Sequence, residues 1–241
     1  MRIVQFFMVL FTVFVLAIGV NAEENKFSDE AELSYVDTGG NTEVTALSGK
    51  NLMKYKFTEK LEGSWKAAVV YGEDDGEKNA ESYLTEFRAD YLFTKRFYSA
   101  FIAGWEQDDF AGIHSRYYAG PAAGYKLLTG PKHFLLGELG VSYVDEEYID
   151  ETEKEYISGR AFVKYEYALT KKNKFSQSLE YLYDFEDSDN YNINSVTAII
   201  SALSDKMSLK TSYEINHDNE PVPSTLDDTD TILTVALVVN F

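Results

Sequence analysis

TDTILTVALVVNF, residues 229–241, carries the clearest structural signal in this sequence. In an extended strand successive side chains point to opposite faces, so the odd and even positions of this stretch separate. The odd face comprises Thr231, Leu233, Val235, Leu237, Val239 and Phe241, whereas the even face mixes Asp230, Thr234 and Asn240 with Ile232, Ala236 and Val238. A membrane-spanning β-strand needs about 9–11 residues, an apolar outer face and an aromatic residue at the interface. The stretch therefore predicts the closing strand of a transmembrane β-barrel, and we expect barrel-assembly machinery to recognise it through Phe241.

The first residues predict export. Arg2 precedes an almost wholly apolar run, residues 3–20, and Val20-Asn21-Ala22 has the small residues of a cleavage site. We therefore interpret residues 1–22 as a secretory signal peptide and residues 23–241 as one outer-membrane β-barrel domain, reached through the periplasm. The alternative is a membrane-anchoring helix, because the apolar run is close to the spanning length of about 20 residues. The cleavage site and the acidic residues that follow it favour the signal peptide.

The composition excludes several classes of protein. The 40 acidic and 22 basic residues give a net charge of −18, which argues against nucleic acid as a partner because phosphate binding needs a basic patch. The chain contains no cysteine, so it has no disulfide framework, no thiolate metal site and no cysteine nucleophile. An exported chain without disulfides needs another source of stability, and a closed, hydrogen-bonded barrel would provide it.

Period-two alternation recurs along the chain and predicts an all-β, twelve-stranded antiparallel transmembrane β-barrel. We place the strands at residues 28–37, 42–54, 60–72, 81–93, 97–107, 115–127, 133–145, 155–168, 174–185, 191–203, 207–217 and 229–241. After a short first hairpin at Thr38-Gly39-Gly40-Asn41, tight turns at 55–59, 94–96, 128–132, 169–173 and 204–206 alternate with longer acidic connections at 73–80, 108–114, 146–154, 186–190 and 218–228. Short periplasmic turns and longer outer loops are typical of outer-membrane barrels.

The two faces of these strands differ in charge. Odd positions are mostly apolar and are expected to face lipid, whereas even positions carry charges and are expected to face the lumen. The predicted lumen charge network has seven carboxylates, Glu62, Glu86, Asp90, Glu138, Glu166, Glu180 and Glu214, and five cations, Lys66, Arg88, Arg160, Lys164 and Lys210. These charges can pair and plug a narrow interior, or they can line a small selective pore. We favour the plugged interior, because each charge needs a partner once it leaves bulk water.

Large aromatic residues gather at the ends of the apolar faces, as they do at the two interfaces of a membrane barrel. We expect the interfacial anchors to be Trp65, Tyr71, Tyr83, Trp105, Tyr167 and Phe241, with outer-membrane lipid as their partner. A soluble β-sandwich would also alternate, but the aromatic ends and the strand lengths favour the barrel.

Carboxylates cluster in the predicted loops, including residues 73–75, 145–147, 186–189 and 227–228. Carboxylates can bind Ca²⁺ or Mg²⁺, so divalent cations are candidate partners of these acidic loops. The sequence shows no ordered ligand spacing, however, and a solvated acidic rim is the simpler interpretation. We therefore assign no metal site and no cofactor.

The histidines form no recognisable catalytic pattern. His114 adjoins Ser115, but adjacent strand residues point to opposite faces, and His133 and His217 have no local nucleophile. The sequence also lacks the motifs G-x-S-x-G and H-E-x-x-H. We expect no enzyme and assign no catalytic residue.

Two short motifs resemble those of the domain-of-unknown-function 481 family, which is often labelled a family of salt-induced outer membrane proteins. They are Thr38-Gly39-Gly40-Asn41-Thr42 after the first predicted strand and Asp228-Thr229-Asp230-Thr231 at the start of the last. The intervening alternating strands extend the resemblance over nearly the whole mature chain. It implies an outer-membrane β-barrel in a Gram-negative bacterium and implies no reaction, substrate or catalytic residue.

The function expected from the sequence is a structural or envelope-maintenance role in the outer membrane, with salt or osmotic stress entering only through the family label. The first alternative is a narrow pore or transporter for small polar solutes. The second is a lipid-modifying outer-membrane enzyme. Conductance in a bilayer would distinguish the first alternative, and turnover of lipid substrates would distinguish the second.

Overall fold

The computed structural model describes residues 26–37, 44–75 and 77–241 and shows a closed barrel of twelve strands. They are β1 (Phe27–Asp37), β2 (Val44–Lys56), β3 (Leu61–Asp74), β4 (Glu77–Leu92), β5 (Phe97–Asp108), β6 (Ile113–Thr129), β7 (His133–Tyr148), β8 (Glu153–Ala168), β9 (Asn173–Asp184), β10 (Tyr191–Ala202), β11 (Met207–Asp218) and β12 (Thr229–Asn240). The predicted fold class is confirmed. The predicted signal peptide and the turn of the first hairpin lie outside the described residues. The described part of the chain contains no helix that could span a membrane.

Each strand pairs antiparallel with its neighbours in sequence, and β12 returns to β1 to close the ring. This closing seam is short, because only residues 30–33 of β1 pair with residues 237–240 of β12. By contrast, β1 pairs with β2 along its whole length and β12 pairs with β11 over residues 229–239. The seam is therefore the shortest ladder in the described barrel.

The exposure of the side chains confirms which face of each strand points outward. In β12, Leu233 is 71% exposed whereas Ala236 is 3% exposed. In β5, Phe101 is exposed whereas Tyr98 and Ile102 are buried. Apolar side chains thus cover the outside, and the charged side chains of even positions fill the inside. This is the reverse of a soluble protein and is what a lipid-facing barrel requires.

The turns at one end of the barrel share a sequence pattern. Residues 57–60, 93–96, 169–172 and 203–206 read FTEK, FTKR, LTKK and LSDK. The hydroxyl at the second position accepts hydrogen bonds from backbone N–H groups two or three residues later, such as Phe97 N to Thr94 Oγ1 at 2.8 Å. A side-chain hydroxyl that caps its own turn explains why serine or threonine recurs there. We call this end the turn end and the opposite end the loop end.

The predicted contrast in connection length is partly wrong. At the loop end β3 finishes at Asp74 and β4 begins at Glu77, and the β5–β6 and β7–β8 connections span only residues 109–112 and 149–152. Residues 185–190 and 219–228 form the longer connections. The acidic stretches at 73–80 and 146–154 were predicted as loops because of their charge, but strands that extend beyond the membrane into water can carry charge on both faces.

The connection between β11 and β12, residues 219–228, reaches across the loop end. In strand order these strands lie opposite β5 and β6. Yet a Cβ built on Gly112, in the β5–β6 turn, would lie 1.9 Å from the carbonyl oxygen of Val222. Gly112 also has a φ of 82°, so glycine is required for both conformation and space. Asn219 Nδ2 additionally donates to the carbonyl of Asp189 at 2.8 Å. We call residues 219–228 the lid.

Candidate functional site

The lumen contains a network of arginines and carboxylates centred on Glu138, which is 4% exposed. Arg88 on β4 donates to both oxygens of Glu138, at 2.5 and 3.1 Å, and Arg160 on β8 donates to Oε2 at 2.8 Å. Each arginine also holds a second carboxylate, Asp90 at 2.7 Å for Arg88 and Glu180 at 2.5 Å for Arg160. We call these five residues the arginine arch. Paired and hydrogen-bonded, the buried charges satisfy one another.

Two tyrosines complete this wall of the lumen. The Tyr98 hydroxyl donates to Glu138 Oε1 at 2.6 Å, and the Tyr118 hydroxyl donates to Glu86 at 2.8 Å. Each ring lies against a glycine of the adjacent strand: a Cβ on Gly124 of β6 would lie 2.2 Å from the Tyr98 ring, and one on Gly104 of β5 would lie 2.4 Å from the Tyr118 ring. These glycines leave room for the rings to lie flat against the wall, which aims their hydroxyls at carboxylates.

A second cluster lies nearer the loop end. Arg116 on β6 donates to Glu106 on β5 and to Glu146 on β7. Glu146 also accepts from the hydroxyls of Tyr148 at 2.6 Å and Tyr156 at 3.0 Å. No buried side-chain nitrogen or oxygen in the described barrel lacks a hydrogen-bond partner. The wall formed by β4 to β9 is therefore densely paired.

Two ion pairs cross the closing seam on its inner side. Lys210 on β11 reaches Glu32 on β1 at 2.5 Å, and Lys50 on β2 reaches Glu214 on β11 at 3.5 Å. Both pairs span β12, whose inward side chains there are the small, buried Ala236 and Val238. These lysines and carboxylates thus link the two sides of the seam where the backbone ladder is short.

Lys66 differs from the other predicted lumen charges. It lies on the inner face of β3, opposite Glu86 in the ladder, and it is exposed to water although it sits within the strand. Neither Lys66 nor Glu62 makes an ion pair with another described residue. An exposed, inward-facing ammonium means that water reaches the lumen beside β2 and β3.

The structure brings together most of the predicted network. Arg88, Asp90, Glu138, Arg160 and Glu180 form the arch; Glu86 bonds Tyr118, Lys164 and Lys174 hold Glu166, and Lys210 and Glu214 cross the seam. Sequence reasoning missed Glu32, Lys50, Glu106, Arg116, Glu146, Tyr98, Tyr118, Tyr148 and Tyr156. All of them occupy even positions, so the same alternation would have found them. Several were overlooked because their segments were taken as loops or because tyrosine was counted only as an anchor.

The predicted aromatic anchors lie on the outer face. Trp65 stacks on Phe87 with ring centroids 6.2 Å apart. The Trp65 Nε1–H group donates to the Thr85 hydroxyl, and the Trp105 Nε1–H group donates to the Ser115 hydroxyl. Each indole N–H thus has a hydrogen-bond acceptor on the apolar outer surface. The hydroxyls of Tyr71 and Tyr83 donate to Glu73 and Glu81, Tyr167 stacks on His133, and Phe241 is exposed. Outward rings whose polar atoms are hydrogen-bonded suit a membrane interface.

The histidines are separate from one another. His114 lies 3.8 Å from Asp109, His133 bonds the Tyr165 hydroxyl at 2.8 Å, and His217 bonds Thr229 at 2.9 Å. Among the acidic loops, the carboxylates of Asp187, Asp189 and Glu220 come within 4.8 Å of one another. Divalent cations at these loops stay a prediction.

A buried carboxyl at the loop end gives a pH-dependent prediction. Asp108 ends β5, beyond the apolar band. Burial raises the pKa of Asp108 to about 6, and the nearby carboxylates of Glu106 and Asp230 also raise this pKa. Hydrogen bonds from the N–H groups of Ala111 and Phe110 act in the opposite direction and lower it. Because the folded-state pKa lies above the usual 3.8, the contribution of this group to stability falls as pH rises from about 4 to about 6.

Asp108→Asn should therefore be more stable than the unchanged protein at pH 7, and the difference should vanish near pH 3.5. Urea midpoints of the two proteins in detergent micelles at both pH values measure this. Asp109→Asn, at the adjacent position, controls for placing an amide in this turn. An equal difference at both pH values would contradict the prediction.

Comparisons with known proteins agree with this architecture. The uncharacterized protein YdiY of Escherichia coli strain K12 is 26% identical over 211 residues, which cover 88% of this chain and 82% of YdiY. The COG4313 outer membrane channel from Pseudomonas putida F1 has a similar structure, with a TM-score of 0.55 at 11% identity over 92% of this chain and 100% of that one. The NanC porin gives a TM-score of 0.52 at 7% identity, with coverage of 88% and 97%. The family described as "Protein of unknown function, DUF481" matches residues 31–241, and the chain belongs to that family.

Proposed function

We propose that this protein is a narrow, water-filled pore of the outer membrane for small polar or charged solutes. The observation that carries the proposal is Lys66, a lysine on the inner face of β3 that is exposed to water well inside the strand. A plugged interior would bury that ammonium or pair it, since an unpaired charge away from water is costly. The sequence alone favours the plugged interior, and the exposure of Lys66 favours the alternative.

The distribution of long and short side chains supports a path for solutes along one wall of the lumen. Long side chains, those of the arginine arch and the cluster around Arg116, fill the wall from β4 to β9. On the opposite wall many inward side chains are short, including Ser34, Ser48, Ser64, Ser208 and Thr234. A path beside the short side chains would be narrow, and the crossing pairs of Lys50 and Lys210 would constrict it further. Fixed charges at such constrictions set the selectivity of a channel.

The structural neighbours add support by analogy. One is named a porin and another an outer membrane channel, although identities of 7% and 11% show a common fold alone. By the same analogy we place the barrel in the outer membrane, with lipid at its apolar surface and barrel-assembly machinery as a partner of β12. We assign no catalytic residue.

A second candidate is a closed scaffold that maintains the envelope. The density of the arginine arch favours it, because Glu138 is buried by two guanidinium groups and a tyrosine. The two candidates differ in one measurable property, the passage of ions.

The test is single-channel recording from refolded protein in a planar bilayer. Discrete conductance steps are expected. Each preparation is first checked for a shift in electrophoretic mobility on boiling in SDS, since a folded barrel migrates differently from the denatured chain. Silence from a preparation that passes this check would remove the pore and leave the closed scaffold.

A further inference from the structure

The two ends of the barrel carry opposite charge. The five turns of the turn end, residues 57–60, 93–96, 130–132, 169–172 and 203–206, contain the cations Lys60, Lys95, Arg96, Lys132, Lys171, Lys172 and Lys206 against the carboxylates Glu59 and Asp205. The turn end therefore has an excess of positive charge, although the whole chain is strongly acidic.

The loop end is the opposite. Its described connections contain Asp75, Asp109, Asp150, Glu151, Glu186, Asp187, Asp189, Glu220, Asp227 and Asp228, with no lysine or arginine among them. Inward-facing Glu106, Asp108 and Asp230 add carboxylates just below this rim, where Arg116 pairs with Glu106. The net acidity of the protein is thus concentrated at one mouth.

In the half of the lumen toward the turn end, lysines are the charges most exposed to water. In the lumen toward the turn end, the lysine side chains are more exposed than their carboxylate partners: 39% for Lys164 and 43% for Lys174 against 23% for Glu166, and 19% for Lys210 against 13% for Glu32. Lys54 and Lys66 on β2 and β3 are exposed as well. Water in this half of the lumen therefore contacts ammonium groups, while carboxylates lie closer to the wall.

We propose that the barrel conducts ions asymmetrically, because its lumen is cationic toward the turn end and anionic toward the loop end. The inference rests on the proposed pore and adds a preferred direction of ionic current. Anions enter more readily from the turn end and cations enter more readily from the loop end, since a cleft lined by one sign of charge concentrates counter-ions. When the loop side is positive, the field drives both kinds of ion into the pore through the mouth that favours them. When the loop side is negative, both are drawn out and the pore is depleted.

The experiment is a current–voltage curve of single channels in planar bilayers over a series of KCl concentrations. At about 0.1 M the current with the loop side positive should exceed the reverse current by about twofold or more, since charged clefts raise counter-ion concentration by about tenfold or more. Near 1 M the ratio should approach one, because the screening length falls from about 10 Å to about 3 Å.

The orientation of each channel can be read independently. The chain contains no cysteine, so Ser224→Cys introduces a single thiol on the exposed part of the lid. A bulky, membrane-impermeant thiol reagent added to one chamber then reduces the current only when the loop end faces that chamber.

Variants of Lys66 distinguish the effect of its charge on the current ratio from the effect of replacing its side chain. Lys66→Glu should lower the current ratio at low salt, and Lys66→Arg should retain it, because only the former changes the charge that water meets. Absence of conductance from heat-modifiable protein would overturn the pore itself. Conductance with a symmetrical low-salt curve would overturn the asymmetry and leave the pore standing, and an asymmetric ratio unchanged by Lys66→Glu would overturn its origin in the lysine charge of the lumen.

Discussion

Glu138→Ala is expected to destabilise the barrel strongly. The substitution removes the carboxylate that Arg88 and Arg160 share, so two guanidinium groups are left facing each other in a buried space. It also leaves the Tyr98 hydroxyl without its acceptor. Removal of one partner from a buried ion pair costs about 3–5 kcal/mol, and a loss of up to about that size is expected here because Arg88 and Arg160 keep Asp90 and Glu180 as partners.

The measurement is the free energy of unfolding in urea, with the protein in detergent micelles or vesicles. Glu180→Ala is the matched control, because among the described residues Glu180 forms its ion pair with Arg160 and its side chain is 24% exposed. The control should lose much less stability. Replacing all five residues of the arginine arch together by apolar residues should recover most of the loss, as well-packed apolar residues often match a buried ionic group. Equal losses from Glu138→Ala and Glu180→Ala would show that the arch does not depend on its central carboxylate.

Shortening the lid is expected to raise conductance several-fold. Replacement of residues 219–227 by Asn-Gly would connect Asp218 to its ladder partner Asp228 through a tight two-residue hairpin, for which this dipeptide has the required backbone preferences. The replacement removes the chain that reaches Gly112 across the loop end, and the mouth should widen. Single-channel current at 1 M KCl, where charge is largely screened, measures the change in width.

The lid also carries charge, so a second variant is needed. Glu220→Gln, Asp227→Asn and Asp228→Asn together keep the length of the lid and remove its carboxylates. This variant should leave the current at 1 M unchanged and should lower the asymmetry of the current at 0.1 M. If the shortened protein conducts no better than the unchanged one, the lid does not limit the path.

Alternation was sufficient to predict the strands and their faces. Side chains such as Leu233 and Phe101 are outward because a strand has a period of two and lipid selects apolar residues on one side. Connection lengths were harder to predict. Charged residues indicate that a segment contacts water, but they do not indicate where a strand ends. Glu73 and Glu146 lie in strands that continue to the rim.

The sequence pattern predicts which residues point into the lumen, but it predicts only some of the contacts that they make there. Even positions identify the residues that point inward, but which strands lie near one another across the lumen depends on register and tilt. Lys50 and Glu214 are separated by two strands and still meet, and Glu138 gathers arginines from β4 and β8. Nothing local in the sequence marks these partners. The lid was also not predictable, since the contact between Val222 and Gly112 joins opposite sides of the ring.

The short ladder between β1 and β12 has a mechanical consequence. The two strands at this seam are also the first and the last of the described strands, so a force on the chain from either side would act directly on the shortest ladder. Under a pulling force applied through both ends, the seam would part first and the hairpins would then peel away in order from either side. The ion pairs Lys210–Glu32 and Lys50–Glu214 link the two sides of the seam between β1 and β12. The force needed to separate these two strands should therefore fall as added salt screens the ion pairs.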